Sequence, residues 1–286
     1  MRHRYVLAVL SGGLLALSAC GSSSSSLGFG DCAITSAKGS LGGFKLTSGG
    51  VLTVATNLPA PGYWDGTKPD NQKSGLEFCM AADIANRLGL SKVRVKNVDF
   101  AALQAGQVQG FDIALSQITV NAARKQVVDF SDPYFTSDQA LMVLKGTAPK
   151  TLADVQKLQL GSQSGTSPLD YIDKNIKPQK AAKVFQDTPS MFNALLAKTV
   201  DGIVFDTAIL LPQSKQPGYE NTAIVAQFKT GEGYGILLPK GSSNVTKVNE
   251  LLAAMKADGS LDRFSQKYVS VALADVANIP FIDVPS

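Results

Sequence analysis

The chain has 286 residues, 44% of them hydrophobic and 17% charged, with a formal charge of +4. That length provides for about two domains with a core each, and so small a charge, with no basic stripe, excludes a nucleic-acid binder. The one histidine is His3, inside the leader described next, so Ser-His-Asp and Cys-His catalysis and His-based zinc sites are excluded from the rest.

Residues 1–19 read as an export signal. Arg2 and Arg4 precede an apolar run at 6–17, too short to span a bilayer comfortably. Without those two arginines the net charge falls to +2. Leu17-Ser18-Ala19-Cys20 resembles a bacterial lipobox, whose cysteine is acylated and becomes the new N-terminus. Residues 21–26, one Gly and five Ser, suit a flexible leash. The expectation is a lipid anchor on the outer face of the cell membrane, made stable by several acyl chains. The plainer reading is a cleaved signal with a chance cysteine. Cys32 and Cys79 remain; an oxidising space permits a disulfide that pins an N-terminal arm, within 20–50, to the helix carrying Cys79. The alternative is two buried thiols.

From residue 51 short apolar runs alternate with amphipathic segments. The pattern predicts strands at 51–56, 93–98 and 111–115, and helices at 77–88 and 101–105, the longer ended by Gly89. This βαβαβ run marks a parallel sheet with right-handed crossovers. An apolar stretch at 139–145 leads away from it. A second series follows, with strands at 158–162, 182–185, 202–205 and 222–227 and helices at 166–175, 189–198 and 207–214. A strand at 234–238 and a helix at 245–256 return to the first unit. The expectation is two α/β lobes: 51–137 with 232–270, and an inserted 138–231. The tail at 271–286 has two prolines and no periodicity and is left unassigned.

In open parallel sheets, ligands sit beyond the carboxyl ends of strands. Ser116, Gln117, Thr119, Asn121 and Arg124 cluster after the third strand. Asn121 suits a cap for a helix beginning at Ala122, and Arg124 in its first turn can grip a carboxylate with two parallel hydrogen bonds. Gln163, Gly165, Thr166, Ser167 and Pro168 form a second strand-to-helix turn that suits an anion. Asp206 ends another strand and can attract a cation. Together they suit a zwitterion spaced like an α-amino acid. Each has a plainer reading: Ser and Thr as simple caps, Arg124 as a surface arginine, Asp206 as the cap of its own helix.

The chain resembles the extracellular solute-binding proteins of polar amino-acid ABC transporters from about Val51 to Tyr268. The likeness lies in LTVATN (52–57), GLEFCMAADIANRLG (75–89), FDIALSQITVNAARKQVVDFSDPY (111–134), GSQSGTS (161–167), VDGIVFD (200–206) and MKADGSLDRFSQKY (255–268). The third is the most specific. The resemblance implies a two-lobed, type II periplasmic-binding-protein α/β fold with two parallel-type sheets and a two-strand hinge. It implies a monomer that carries a free amino acid to a membrane permease, with no cofactor, metal or enzymatic activity. By position, Arg124, Thr119 and Thr166 bind the α-carboxylate, and Asp206 and the Gln117 backbone the α-ammonium. Asn57 stands where members for basic ligands tend to have aspartate. Tyr63 and Trp64 follow Pro59-Ala60-Pro61-Gly62, where those members place a stacking tyrosine. With Gln117 and Gln163, Asn57 favours asparagine, glutamine, aspartate or glutamate. A cyclohexadienyl-dehydratase-like enzyme is the rival, with Glu232 and Glu77 as its acid or base. An amino-acid-sensing lipoprotein is a third reading.

Overall fold

The computed structural model describes Met1, residues 27–270 and residues 273–285. The leader, Cys20 and the serine leash lie outside the described residues. Eight strands form one continuous sheet in the order β2-β1-β3-β8-β4-β7-β5-β6. They are β1 Leu52–Thr56, β2 Val93–Asn97, β3 Ile113–Ala114, β4 Val128–Leu144, β5 Leu160–Gln163, β6 Lys183–Phe185, β7 Gly202–Asp206 and β8 Thr222–Pro239. The helices are α1 Leu76–Arg87, α2 Phe100–Gln104, α3 Ala122–Lys125, α4 Leu152–Val155, α5 Ser167–Tyr171, α6 Thr188–Leu196, α7 Thr207–Ser214, α8 Val245–Ala257 and α9 Ser260–Ser265.

Two parallel triplets, β2-β1-β3 and β7-β5-β6, flank the antiparallel pair β8 and β4. The resemblance implied two parallel-type sheets with a two-strand hinge; the hinge strands instead join the two into one sheet. β4 has 17 residues and β8 has 18; β8 pairs with β3 of one triplet, β4 with β7 of the other, and the two pair with each other along their length. The separate strands expected at 222–227 and 234–238 are therefore one. Register shifts at Phe130/Pro133, Pro133/Phe135 and Ser137/Gln139 mark where the ribbon bends.

Side-chain alternation explains why β4 reads as continuously apolar at 140–143. Ala140 and Met142 enter one core cluster with Met191, Phe192 and Ile203. Leu141 and Val143 enter another with Leu160, Ile172 and Phe228. The other triplet has the same arrangement, with Leu52 and Val54 facing α1 and α8 residues and Ala55 facing Phe100 and Leu103. Each lobe thus has its own core on both faces of its sheet.

The N-terminal arm wraps the first triplet. Leu27 bridges Val93, Ser36 Oγ donates to Asp83 at 2.6 Å, and Asn244 brackets the Lys45 backbone with two bonds of 2.9 Å. Cys32 and Cys79 form a disulfide, with Cα atoms 5.3 Å apart. The bridge spans 47 residues, a loop worth about 4 kcal/mol in chain entropy. Reduction is expected to lower the unfolding free energy by about 2–4 kcal/mol, read from urea curves with and without dithiothreitol. An unchanged midpoint shows that the arm needs no bridge.

The tail docks on the second lobe chiefly at Gln227, and Asp275 pairs with Lys215 at 2.8 Å. Gln227 N donates to Pro280 O at 2.9 Å, its Nε2 donates to Val276 O and Ile279 O, and its carbonyl accepts from Ile282 N at 2.9 Å. Ile282 is buried beside Phe228. Contacts scattered in this way leave no periodic signal to read.

Candidate functional site

β3 ends at Ala114, and the next turn is built on Glu77. This buried carboxylate accepts from Gln117 N at 2.7 Å, from Trp64 Nε1 at 2.8 Å, and from Gln117 Nε2 and the Tyr134 hydroxyl. Gln117 takes a φ of 49° there, an uncommon conformation for a residue with a side chain. Burial raises the Glu77 carboxyl to about 7, while the bonds from Tyr134, Gln117 and Trp64 pull it down.

Asn121 caps α3 by accepting from Arg124 N at 2.8 Å, as its residue type predicts. Arg124 is no surface arginine; it is 5% exposed. Nη1 donates to Thr119 O at 2.7 Å, Nη2 to Gly165 O at 3.0 Å and Nε to Gln104 Oε1 at 3.3 Å. The guanidinium also lies over the Phe100 ring. Those bonds use three of five N–H groups, and two remain for a ligand. Burial pulls its pKa down, and the charges of Asp206, Glu232 and Asp170 hold it up.

Thr166 caps α5: its hydroxyl donates to Gln163 O at 2.7 Å and accepts from Leu169 N at 3.4 Å. The plain reading of Thr166 therefore holds alongside any ligand role. Gly165 sits where the lobes touch. A Cβ there would come within 3.1 Å of Ala101 at a φ of +73°, so any side chain would be strained and crowded against the other lobe. Thr119 Oγ1 lies 3.1 Å from Ser167 Oγ, and both hydroxyls donate to Glu232. Gln163 Nε2 reaches Asn57 Oδ1 at 3.4 Å. With Arg124 to Gly165 O, these contacts draw the two lobes closed.

Asp206 ends β7, 4% exposed, and makes no side-chain cap on α7. Its Oδ2 accepts from the Tyr234 hydroxyl at 2.9 Å, and its buried Oδ1 has no partner. Burial raises its carboxyl to about 8, and the charge of Glu232 adds to this. The Tyr234 bond and Arg124 act the other way.

One cavity of about 40 Å³ collects most of these groups, room for about three waters. Asn57, Ser116, Gln117, Thr119, Arg124, Gln163, Thr166 and Asp206 all line it. Gly165 does not; its carbonyl holds Arg124 from behind. Tyr63 and Trp64 do not reach it either. Both are 1% exposed and turn inward, Trp64 onto Glu77 and Tyr63 edge-on to Phe135 and Tyr234. Pro59, Ala60 and Pro61 face the cavity in their place. Glu77 and Glu232 are not among its lining residues; Glu232 stands behind the hydroxyls of Thr119 and Ser167, which are.

The sequence reading missed Phe100, Phe192, Phe205 and Ile209 in the lining. Apolar residues at helix or strand spacing read as core, and nothing local separates a core face from a cleft face. Glu77 as the support of Gln117 was also missed. Its signal was faint: an acidic residue inside an otherwise apolar helical stretch.

A family model for bacterial extracellular solute-binding proteins, family 3, matches residues 52–271. The chain is 32% identical over 227 residues to the L-cystine-binding protein TcyA of Bacillus subtilis (strain 168), covering 77% of this chain and 81% of that one. It is 28% identical over 279 residues to the ABC transporter glutamine-binding protein GlnH of the same organism, covering 94% and 98%. The structure of an ancestral arginine-binding protein bound to glutamine superposes with a TM-score of 0.70 at 32% identity, covering 77% of this chain and 98% of that one. These relatives are binding proteins for amino acids, on the two-lobed type II fold expected above. With a family model matched across both lobes and the cleft between them, this chain belongs to the family 3 bacterial extracellular solute-binding proteins.

Proposed function

We propose that this chain is a lipid-anchored, extracytoplasmic receptor that traps one free amino acid between its lobes and hands it to an ABC transporter permease. The lobes are 51–137 with 232–270, and 138–231, moving on the β4–β8 ribbon. One observation carries the reading: a buried guanidinium with two spare N–H groups and a buried carboxylate with an unpartnered oxygen line one small cavity. Arg124 comes from one lobe and Asp206 from the other. Each is costly to bury without an opposite charge. A zwitterion supplies both charges at once, so it favours the closed form over the open one. The Thr119–Ser167 and Arg124–Gly165 contacts form only on closure. Cys20 supplies the anchor and the closed surface the permease contact.

Calorimetry against the twenty amino acids tests this. At least one is expected to bind at micromolar or tighter Kd, about −8 kcal/mol. Arg124→Lys is expected to weaken it by about 10- to 100-fold, since an ammonium cannot offer paired, coplanar N–H groups. No heat with any amino acid sinks the reading.

A further inference from the structure

We infer that the captured amino acid carries an uncharged side chain. The inference rests on the function proposed above and goes further than it. Arg124 and Asp206 are the only ionisable side chains lining the cavity among the described residues. The α-carboxylate and α-ammonium of one amino acid engage both. A third charge, on the ligand side chain, has no opposite charge left to meet.

The rest of the wall agrees. Phe192, Phe205 and Ile209 give apolar surface, and Asn57, Gln163 and Gln213 give neutral amides. The nearby carboxylates stand behind the wall, not in it. Glu77 is enclosed by four donors, and Glu232 accepts from Thr119, Ser167 and Gln139. Gln163 holds Asn57 Oδ1 and Gln186 O by long bonds of 3.4 and 3.2 Å, weak enough to be exchanged for a ligand amide. A charge enclosed here keeps neither its water nor a counterion, the arrangement proteins avoid most strongly. Of the amides and acids that the sequence favoured, this removes aspartate and glutamate.

The test ranks free amino acids by calorimetry on the full chain, in shape-matched pairs: glutamine with glutamate, asparagine with aspartate, methionine with lysine. The tightest binder is expected to be uncharged, with its charged counterpart weaker by at least about 100-fold. A charged amino acid at the head of the ranking, or a separation below about tenfold, overturns the inference while leaving amino-acid capture intact. Silence from all twenty instead removes the capture reading, and this one with it. A second arm adds the missing charge. Gln213→Glu, at a half-buried position on α7, is expected to improve lysine or arginine binding by about tenfold or more, with an unchanged melting temperature. No gain for either cation overturns the claim that a missing counter-charge excludes them.

Discussion

Asp206→Asn is expected to abolish amino-acid capture and, at the same time, to stabilise the empty protein. The first effect follows from losing the partner of a buried ammonium, about 2–5 kcal/mol or roughly 30- to 5,000-fold in Kd. The second follows from the empty cavity. Asp206 is buried with one oxygen unpartnered, and its carboxyl is raised to about 8. The folded chain therefore binds a proton there more tightly than the unfolded chain. Such a group contributes stability that is complete below its unfolded pKa, near 4, and is lost as pH rises through about 8. Near neutral pH the asparagine escapes that loss, on the order of 1–3 kcal/mol, or a rise of about 2–6 °C in melting temperature. Glu77, raised to about 7, pulls in the same direction, so the variant keeps a residual pH slope.

The ligand reverses the sign. An ammonium needs the carboxylate ionised, so binding expels up to one proton below pH 8. Affinity is then expected to rise with pH toward 8, by at most about tenfold per unit. Calorimetry in two buffers of different ionisation heat counts that proton. An asparagine variant that binds normally, or melts below the wild type when empty, sinks the assignment of Asp206.

The second large effect lies beneath the cavity. Glu77→Ala is expected to cost about 3–5 kcal/mol of stability. It strands three buried donors, on Tyr134 and Gln117, and leaves Trp64 Nε1 only its 3.2 Å bond to Leu115 O. For a chain of this size the melting temperature falls by about 6–15 °C. Two of the four bonds hold Gln117 at its φ of 49°, a conformation costing about 1–3 kcal/mol that persists only while its surroundings impose it. Release of Gln117 displaces a cavity wall, so affinity falls along with stability. Glu77→Gln keeps one oxygen as acceptor and is expected to fall between. Denaturant unfolding and calorimetry on the same preparations read both effects. A loss under about 1 kcal/mol for Glu77→Ala shows that the donors find other partners, and the supporting role fails.

Much of the scaffold could be read along the chain because its signals are local. Alternating apolar runs announced the strands, Asn121 and Thr166 announced helix starts, and the polar burst after β3 announced the cleft. Arg124 stood out in the helix start that follows β3, and Asp206 at the end of β7 itself. The aromatic lining was not legible in this way. Phe192 and Phe205 follow the same spacing as core residues, and only the approach of the two lobes turns them toward a cavity. Tyr63 and Trp64 drew attention because they follow the place of a stacking tyrosine in members for basic ligands, yet the Pro59–Pro61 turn folds them inward onto Phe135 and Glu77.

The sequence by itself determined which segments form the two parallel units, that a polar helix start follows β3, and that an acidic group ends β7. Short-range sterics and side-chain alternation decide those features, and both act within a few residues. Tertiary structure alone decided that β4 and β8 run unbroken through both lobes, that Glu77 holds Gln117, and that Asp206 keeps an oxygen free instead of capping its helix. Each depends on groups tens to over a hundred residues apart, whose meeting is fixed by packing and by the cost of burying a polar atom unpaired.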